Sequence, residues 1–281
     1  MAGGEDSGEV SMLPFLSFED EVLRPPLSCT ADNASVAEVL GPIRAKIAND
    51  FGLLSNPLIA KLRKFVQLTT DDTGALERLC SRPRAYVADQ QLICEGLPPQ
   101  FVCIILSGWA FRYKMLRNGH RQVLGFLIPG DICDLSFTLV EDPDYCVSVL
   151  DDSRIVKLPI SQLNEAIEKN PNVRRGLQLA AHSDSVVMRQ WLVNIGQRSA
   201  RQRLSYFLYE MTQRLRMIGE GRADGSFKFP LNQYVLADTV GTTPVHINRI
   251  LQRLRREGVI ALHRPYLRIL DVQKLVAIAD L

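Results

Sequence analysis

The sequence predicts an α+β chain: an N-terminal antiparallel β-roll, a long helix, and a C-terminal winged helix-turn-helix domain. Three observations carry that prediction. Up to about residue 158, short β-rich runs are broken by Gly, Pro and Asp at regular intervals, as in a small roll or barrel. After Pro171, Leu177, Ala181, Asp184, Val187 or Met188, Trp191 and Ile195 recur at three and four residues, the period of a helix. Residues 233–252 read QYVLADTVGTTPVHINRILQ, two short helices around a tight turn.

Taken in order, residues 1–50 carry nine acids against three bases and no sustained periodicity, which predicts a disordered acidic extension with one helical stretch near 43–48. A β-roll sensor domain is expected over 51–170. Pro57, Leu58, Leu62, Phe65 and Val66 predict a short amphipathic helix, and the capping residues from Thr70 to Thr73 start a second that runs through Cys80. The strand runs lie at 86–87, 91–94, 101–106, 109–116, 121–128 and 145–150, with Asn118-Gly119 as a hairpin turn between two of them. No G-x-G-x-x-G or Walker sequence interrupts them.

Residues 171–197 are expected to be a dimerisation helix and hinge, its seam suited to pack on a second copy in a homodimer. Gly196 marks the joint and Ser199 caps the next helix, from Ala200 to about Ile218. Leu204, Phe207, Leu208, Met211 and Leu215 form its apolar stripe, with Arg201, Arg203, Arg214 and Arg216 expected to face outward.

The winged helix-turn-helix is expected over 198–281. Leu236, Ala237 and Val240 give the first helix of the pair an apolar face, and Gly241 can end it by taking positive φ. Thr243 can cap the second helix, with Pro244 at its first position, where a missing N–H costs nothing. Ile247, Ile250, Leu251 and Leu254 face back, leaving His246, Asn248, Arg249, Gln252 and Arg253 on the outer face. Such a pair puts its second helix into a DNA major groove. Runs at 259–263 and 266–270 flank Arg264-Pro265 as a β-hairpin wing carrying Arg264 and Arg268. Residues 197–268 hold thirteen Lys and Arg against five acids within a chain of net charge +2, the footprint of a polyanion partner.

Other classes find less support. The six cysteines, at 29, 80, 94, 103, 133 and 146, include no C-x-x-C, which argues against a zinc ribbon or close-spaced iron–sulfur motif. There is no apolar leader and no apolar run of membrane-spanning length, so the chain is expected to be soluble and cytoplasmic. No nucleophile–base pairing, metal spacing or phosphate loop supports an enzyme. The alternative is a ligand-binding signalling module whose C-terminal domain mediates protein contacts.

Leu106-Ser-Gly-Trp109, the stretch from Gly119 through Pro129-Gly-Asp131, and the 231–262 run ending LQRLRREGVIAL resemble the Crp/Fnr family of bacterial transcription regulators over roughly residues 56–271. The resemblance implies a roll of the cyclic-nucleotide-binding type, a homodimer through the long helix, a palindromic double-stranded DNA operator, and RNA polymerase as a further partner. It places an effector pocket at Asp134, Leu135, Tyr145, Cys146, Met188 and Arg189, with effector-modulated and effector-independent regulation both open. Nucleotide-binding members carry Gly-Glu-Leu and Arg-Ser where this chain has Cys133-Asp134-Leu135 and Tyr145-Cys146. With no Arg at that position to balance a buried phosphate, cyclic AMP is disfavoured. An iron–sulfur cluster is disfavoured too, because the clustered N-terminal cysteines are missing, while His120 and His182 leave haem ligation open. Members that read G·C through a Glu, followed four residues later by an Arg, have Val245 at the Glu position here and Arg249 at the Arg. Arg249 is therefore expected to read a base directly. His246, Asn248 and Thr243 are candidates for base or phosphate contact, Val245 could pack on a thymine methyl, and Arg253, Arg198 and Arg264 are expected to position the backbone.

Overall fold

The computed structural model describes residues 56–133 and 143–281. The acidic extension, the helical stretch near 43–48, Asp134 and Leu135 all lie outside the described residues.

Helix α1, Pro57–Leu62, starts where the Asn56 Oδ1 accepts the Leu58 N–H at 3.1 Å. Helix α2, Thr70–Leu79, opens with a capping box: the Thr69 hydroxyl takes the Asp72 N–H, and the Asp72 carboxylate takes the Thr69 N–H.

Eight strands come next: β1 Arg84–Tyr86, β2 Gln91–Ile93, β3 Phe101–Ser107, β4 Ala110–Met115, β5 Arg121–Leu127, β6 Ile132–Cys133, β7 Cys146–Val149 and β8 Ser153–Pro159. They form two antiparallel four-stranded sheets, ordered β1-β8-β3-β6 and β2-β7-β4-β5. Leu92, Ile105, Leu127, Val147 and Ile155 fill the space enclosed by them. Each sheet is also covered on its outer face. Val102, Ile104, Val156 and Leu158 pack under α1 and α2, while Phe111, Val123 and Phe126 pack against the C-terminal half of the chain. Burial on both faces is why these strands read as apolar runs rather than alternating ones. Strand β8 lies within the β-rich span expected to about residue 158 but is not one of the separate runs expected there, and neither is the two-residue β6. The Pro129-Gly130-Asp131 turn carries a close approach: Gly130 has φ 87°, and a Cβ there would sit 2.6 Å from the Pro57 carbonyl oxygen. Only glycine fits.

Helix α3, Ile160–Lys169, adds to the expected elements; Leu163 anchors it on the roll. Helix α4, Pro171–Gln197, is continuous through Gly196, and the chain breaks one residue after the helix ends, at Arg198, whose ψ of 145° is extended. The expected seam needs correction. Leu177 is buried against the roll, and Trp191 turns inward, donating its indole N–H to Glu210 at 2.9 Å and packing edge-on to Tyr206. The outward row is instead Ala181, Ser185, Met188, Leu192 and Ile195, spaced four, three, four and three.

Helix α5, Ala200–Met217, begins with a Ser199–Gln202 capping box and buries Leu204, Phe207, Leu208, Met211 and Leu215 as expected. Arg214 does not face outward. Its guanidinium is buried, bonded to Asp131 at 2.6 Å and Glu210 at 3.3 Å, while the Lys61 ammonium holds the other Asp131 oxygen at 2.8 Å. A partner 83 residues away in sequence decides its direction. Strand β9, Phe227–Lys228, then precedes α6, Gln233–Val240, and α7, Pro244–Arg256. Strands β10, Ile260–His263, and β11, Tyr266–Ile269, form a three-stranded sheet with β9, and α8, Val272–Ala279, closes the chain against α5. One apolar cluster joins the outer face of β4 and β5 to α5, α6 and α7. Arg121 on β5 meets Asp238 on α6 at 2.7 Å across it.

Candidate nucleic-acid interface

The turn between α6 and α7 is built by local chemistry. Asn232 caps α6 by accepting the Val235 N–H at 2.9 Å. Gly241 ends it at φ 69°, ψ 55°, and the N–H groups of Gly241 and Thr242 both return to the Ala237 carbonyl. The Thr243 hydroxyl accepts the His246 N–H at 3.3 Å, and Pro244 occupies the first helical position. Leu236, Ala237, Val240, Ile247, Ile250, Leu251 and Leu254 are buried between the helices, which fixes the rotation of α7.

That rotation turns Thr243, Val245, His246, Asn248, Arg249, Gln252 and Arg253 to the outside. Their charged members are not equivalent. Glu257 accepts Arg253 Nε at 2.7 Å and Arg201 Nη2 at 2.5 Å. The Arg253 hydrogen bond, helped by the charges of Arg201 and Arg253, holds the Glu257 carboxyl below its ordinary range. Arg249 makes no ion pair or hydrogen bond with any described residue. Arg264 is exposed at the tip of the β10–β11 wing, with Arg268 on the strand behind it. Arg198 is committed inside the molecule: it donates to Asn194 at 2.7 Å and to the Asp280 carbonyl at 2.6 Å, and lies over the Tyr206 ring.

A cavity of about 670 Å³ separates the roll from α4. Tyr145 and Met188 line it, whereas Cys146 and Arg189 do not. Strand alternation sends Cys146 to the opposite face from Tyr145, and one helical step carries Arg189 off the side of α4 on which Met188 borders the cavity. Three cations that sequence reasoning missed line the cavity: Arg112, Lys61 and Arg174. Arg112 reaches in from β4, its guanidinium 6.0 Å from the Tyr145 ring and donating to the Ile132 carbonyl. Its place between outward-facing Phe111 and Tyr113 was the available signal. His120 is exposed in the β4–β5 turn and His182 is exposed on α4. Among the described residues no three His, Cys, Asp or Glu are grouped so as to hold a metal ion.

Two family models match the chain, a cyclic nucleotide-binding domain over residues 83–170 and a Crp-like helix-turn-helix domain over residues 202–278. The Pseudomonas aeruginosa transcriptional activator protein anr is 23% identical over 214 residues, 76% of this chain and 87% of the relative. The nitrogen fixation regulation protein FixK of Bradyrhizobium diazoefficiens is 27% identical over 175 residues, 62% of this chain and 72% of the relative. Among solved structures, FixK2 from Bradyrhizobium japonicum superposes with a TM-score of 0.61 at 23% identity, covering 70% of this chain and 96% of that one.

The chain belongs to the Crp/Fnr family. It is a transcription regulator of the Crp/Fnr type with a helix-turn-helix DNA-binding domain. These relatives are named as regulators rather than as enzymes, and no helix among the described residues is long and apolar enough to cross a membrane. No Arg stands at the family's position beside Tyr145 and Cys146, and Arg112 lines the cavity from β4.

Proposed function

We propose that the chain acts as a homodimer reading a two-fold symmetric operator, one α7 helix entering the major groove of each half-site about 34–36 Å apart. An effector in the roll cavity would bias that state, and RNA polymerase is the second partner. The observation that carries the reading is the outer face of α7. It presents donors at His246, Asn248 and Arg249 on a helix locked by its own core, and Arg249 has no described residue to bind. Thr243, Arg253 and Arg264 supply phosphate contacts around it, and Val245, 63% exposed, offers a methyl-sized apolar contact. Arg198, tied to Asp280, is the weakest member of the set.

The test is genomic footprinting of the purified protein, with mass spectrometry of any small molecule it carries. Binding to a recovered site should weaken steeply with salt, log K falling linearly with log salt with a slope of about −0.9 per neutralised phosphate. A flat dependence would favour the module whose C-terminal domain contacts protein.

The dimer is expected to form through the outward row on α4. Met188, Leu192 and Ile195 are 60%, 69% and 52% exposed, and continue the spacing of Ala181 and Ser185. Four-three spacing is that of a two-helix seam. Leu192→Glu should yield monomers, because two-fold symmetry counts the loss twice at about 1.5–3 kcal/mol per buried leucine. Sedimentation equilibrium at micromolar protein checks this; an unchanged dimer would place the interface elsewhere.

A further inference from the structure

The outer face of the β2-β7-β4-β5 sheet brings two cysteines side by side. On β2 and β7, Gln91 lies opposite Ser148 and Ile93 opposite Val147, so Leu92 is an extra residue on one strand. Such a bulge re-aims the side chains beyond it on the same strand. Ile93 and Val147, the last pair of the ladder, both point into the roll, and extending that register one residue past the end of β2 brings Cys94 against Cys146 on the outer face. One contact supports the pairing. The Glu95 N–H lies 3.4 Å from the Cys146 sulfur. Tyr113 lies directly opposite Cys146 on β4. Directly opposed antiparallel residues have Cα atoms about 4.5–5.5 Å apart, inside the range a disulfide needs. Both thiols are only partly buried.

A second pair makes the contrast. Cys103 and Cys133 are also directly opposed, on β3 and β6, but both are fully buried inside the roll. Burial, with Cys133 beside it, pushes the Cys103 thiol far above its ordinary range. A thiol that cannot ionise and cannot be reached does not react.

We propose that Cys94 and Cys146 form a peroxide-reactive dithiol that closes into an intramolecular disulfide between the residue after β2 and the start of β7. One sulfur attacks an oxygen of a hydroperoxide; the O–O bond breaks, water or an alcohol leaves, and a sulfenic acid forms. The other sulfur then attacks the sulfenic sulfur. An S–S bond forms, the S–O bond breaks, and the hydroxyl departs as water with the second thiol's proton. Two thiols lose two electrons and two protons in all, and thiol–disulfide exchange restores them. The reaction lies on the face that meets the DNA-binding domain. Arg121 stacks over Phe111 and Tyr113 there, and the same guanidinium pairs with Asp238 on α6.

The experiment treats the full chain with equimolar hydrogen peroxide, blocks remaining thiols with an alkylating agent, and maps the digested peptides by mass spectrometry. The expected result is a Cys94–Cys146 cross-linked peptide that disappears on reduction, formed at least about tenfold faster than any oxidation of Cys103 or Cys133. Cys94→Ser and Cys146→Ser should each abolish the cross-link. The proposal is overturned if both thiols still alkylate fully after peroxide, if either pairs instead with Cys29 or a second chain, or if Cys103 and Cys133 oxidise as fast.

Discussion

Arg249→Ala is expected to remove sequence preference while leaving non-specific DNA binding largely in place. An arginine bidentate to guanine O6 and N7 supplies about 1–3 kcal/mol of discrimination against a wrong base. In a two-fold complex the loss is felt in both half-sites. Arg249 can make that contact because no described residue competes for its guanidinium, whereas Arg253 on the same face already shares Glu257 with Arg201. Arg253→Ala should therefore weaken operator and unrelated DNA about equally, the signature of a phosphate contact. The measurement is competition between operator and scrambled duplex at one fixed salt concentration. If Arg249→Ala discriminates as well as the wild type, the base-reading role moves to His246 or Asn248.

The helix-turn-helix was legible because its determinants are local. Gly241, Thr243 and Pro244 state where one helix ends and the next begins, and the apolar positions of α7 state which face is buried. The Asn118-Gly119 turn was legible for the same reason: Asn118 Oδ1 accepts the His120 N–H and Gly119 takes φ 81°. What escaped were features set by distant partners. Arg214 looks like one more outward arginine on α5 until Asp131 is brought against it. Trp191 fitted a dimer seam by spacing alone, yet Glu210 gives its indole a buried acceptor. The bulge at Leu92 reverses the face of Ile93, the last residue of β2, and no residue there announces it. Arg112 was missed because its alternation with Phe111 and Tyr113 reads as a polar face turned to water, whereas the C-terminal half of the chain covers the aromatic face and leaves Arg112 to the cavity.

Asp131→Asn is expected to cost about 3–5 kcal/mol, the usual penalty for removing one partner of a buried ion pair. Asp131 is 2% exposed and fully engaged: Oδ1 on Lys61 at 2.8 Å, Oδ2 on Arg214 at 2.6 Å and on the Ile128 N–H at 2.8 Å. The network ties α1, the turn before β6 and α5 together, and reaches α4 through Glu210 and Trp191. An amide keeps the shape but leaves two buried cations short of a counter-charge. Such a loss is a large share of a typical stability of about 5–15 kcal/mol. Adding Lys61→Met should recover part of it by deleting one orphaned charge, a non-additivity that a double-mutant cycle in urea would read.

The same network predicts the acid limb. Burial alone would raise the Asp131 carboxyl, but Lys61 and then Arg214 outweigh it and hold it below its ordinary value of 3.8. Its stabilisation is therefore present above that value and lost as pH falls through the depressed one. Glu210 has the opposite sign. Burial raises it against the opposing pull of Arg214 and the Trp191 N–H, so what it contributes is present below its ordinary 4.5 and lost as pH rises through the raised value. Asp131→Asn removes the first contribution and keeps the second. The urea midpoint of the variant should accordingly fall less than that of the wild type on acidification below about pH 4. Equal slopes for the two proteins would mean that Lys61 and Arg214 do not hold Asp131 ionised in the folded chain.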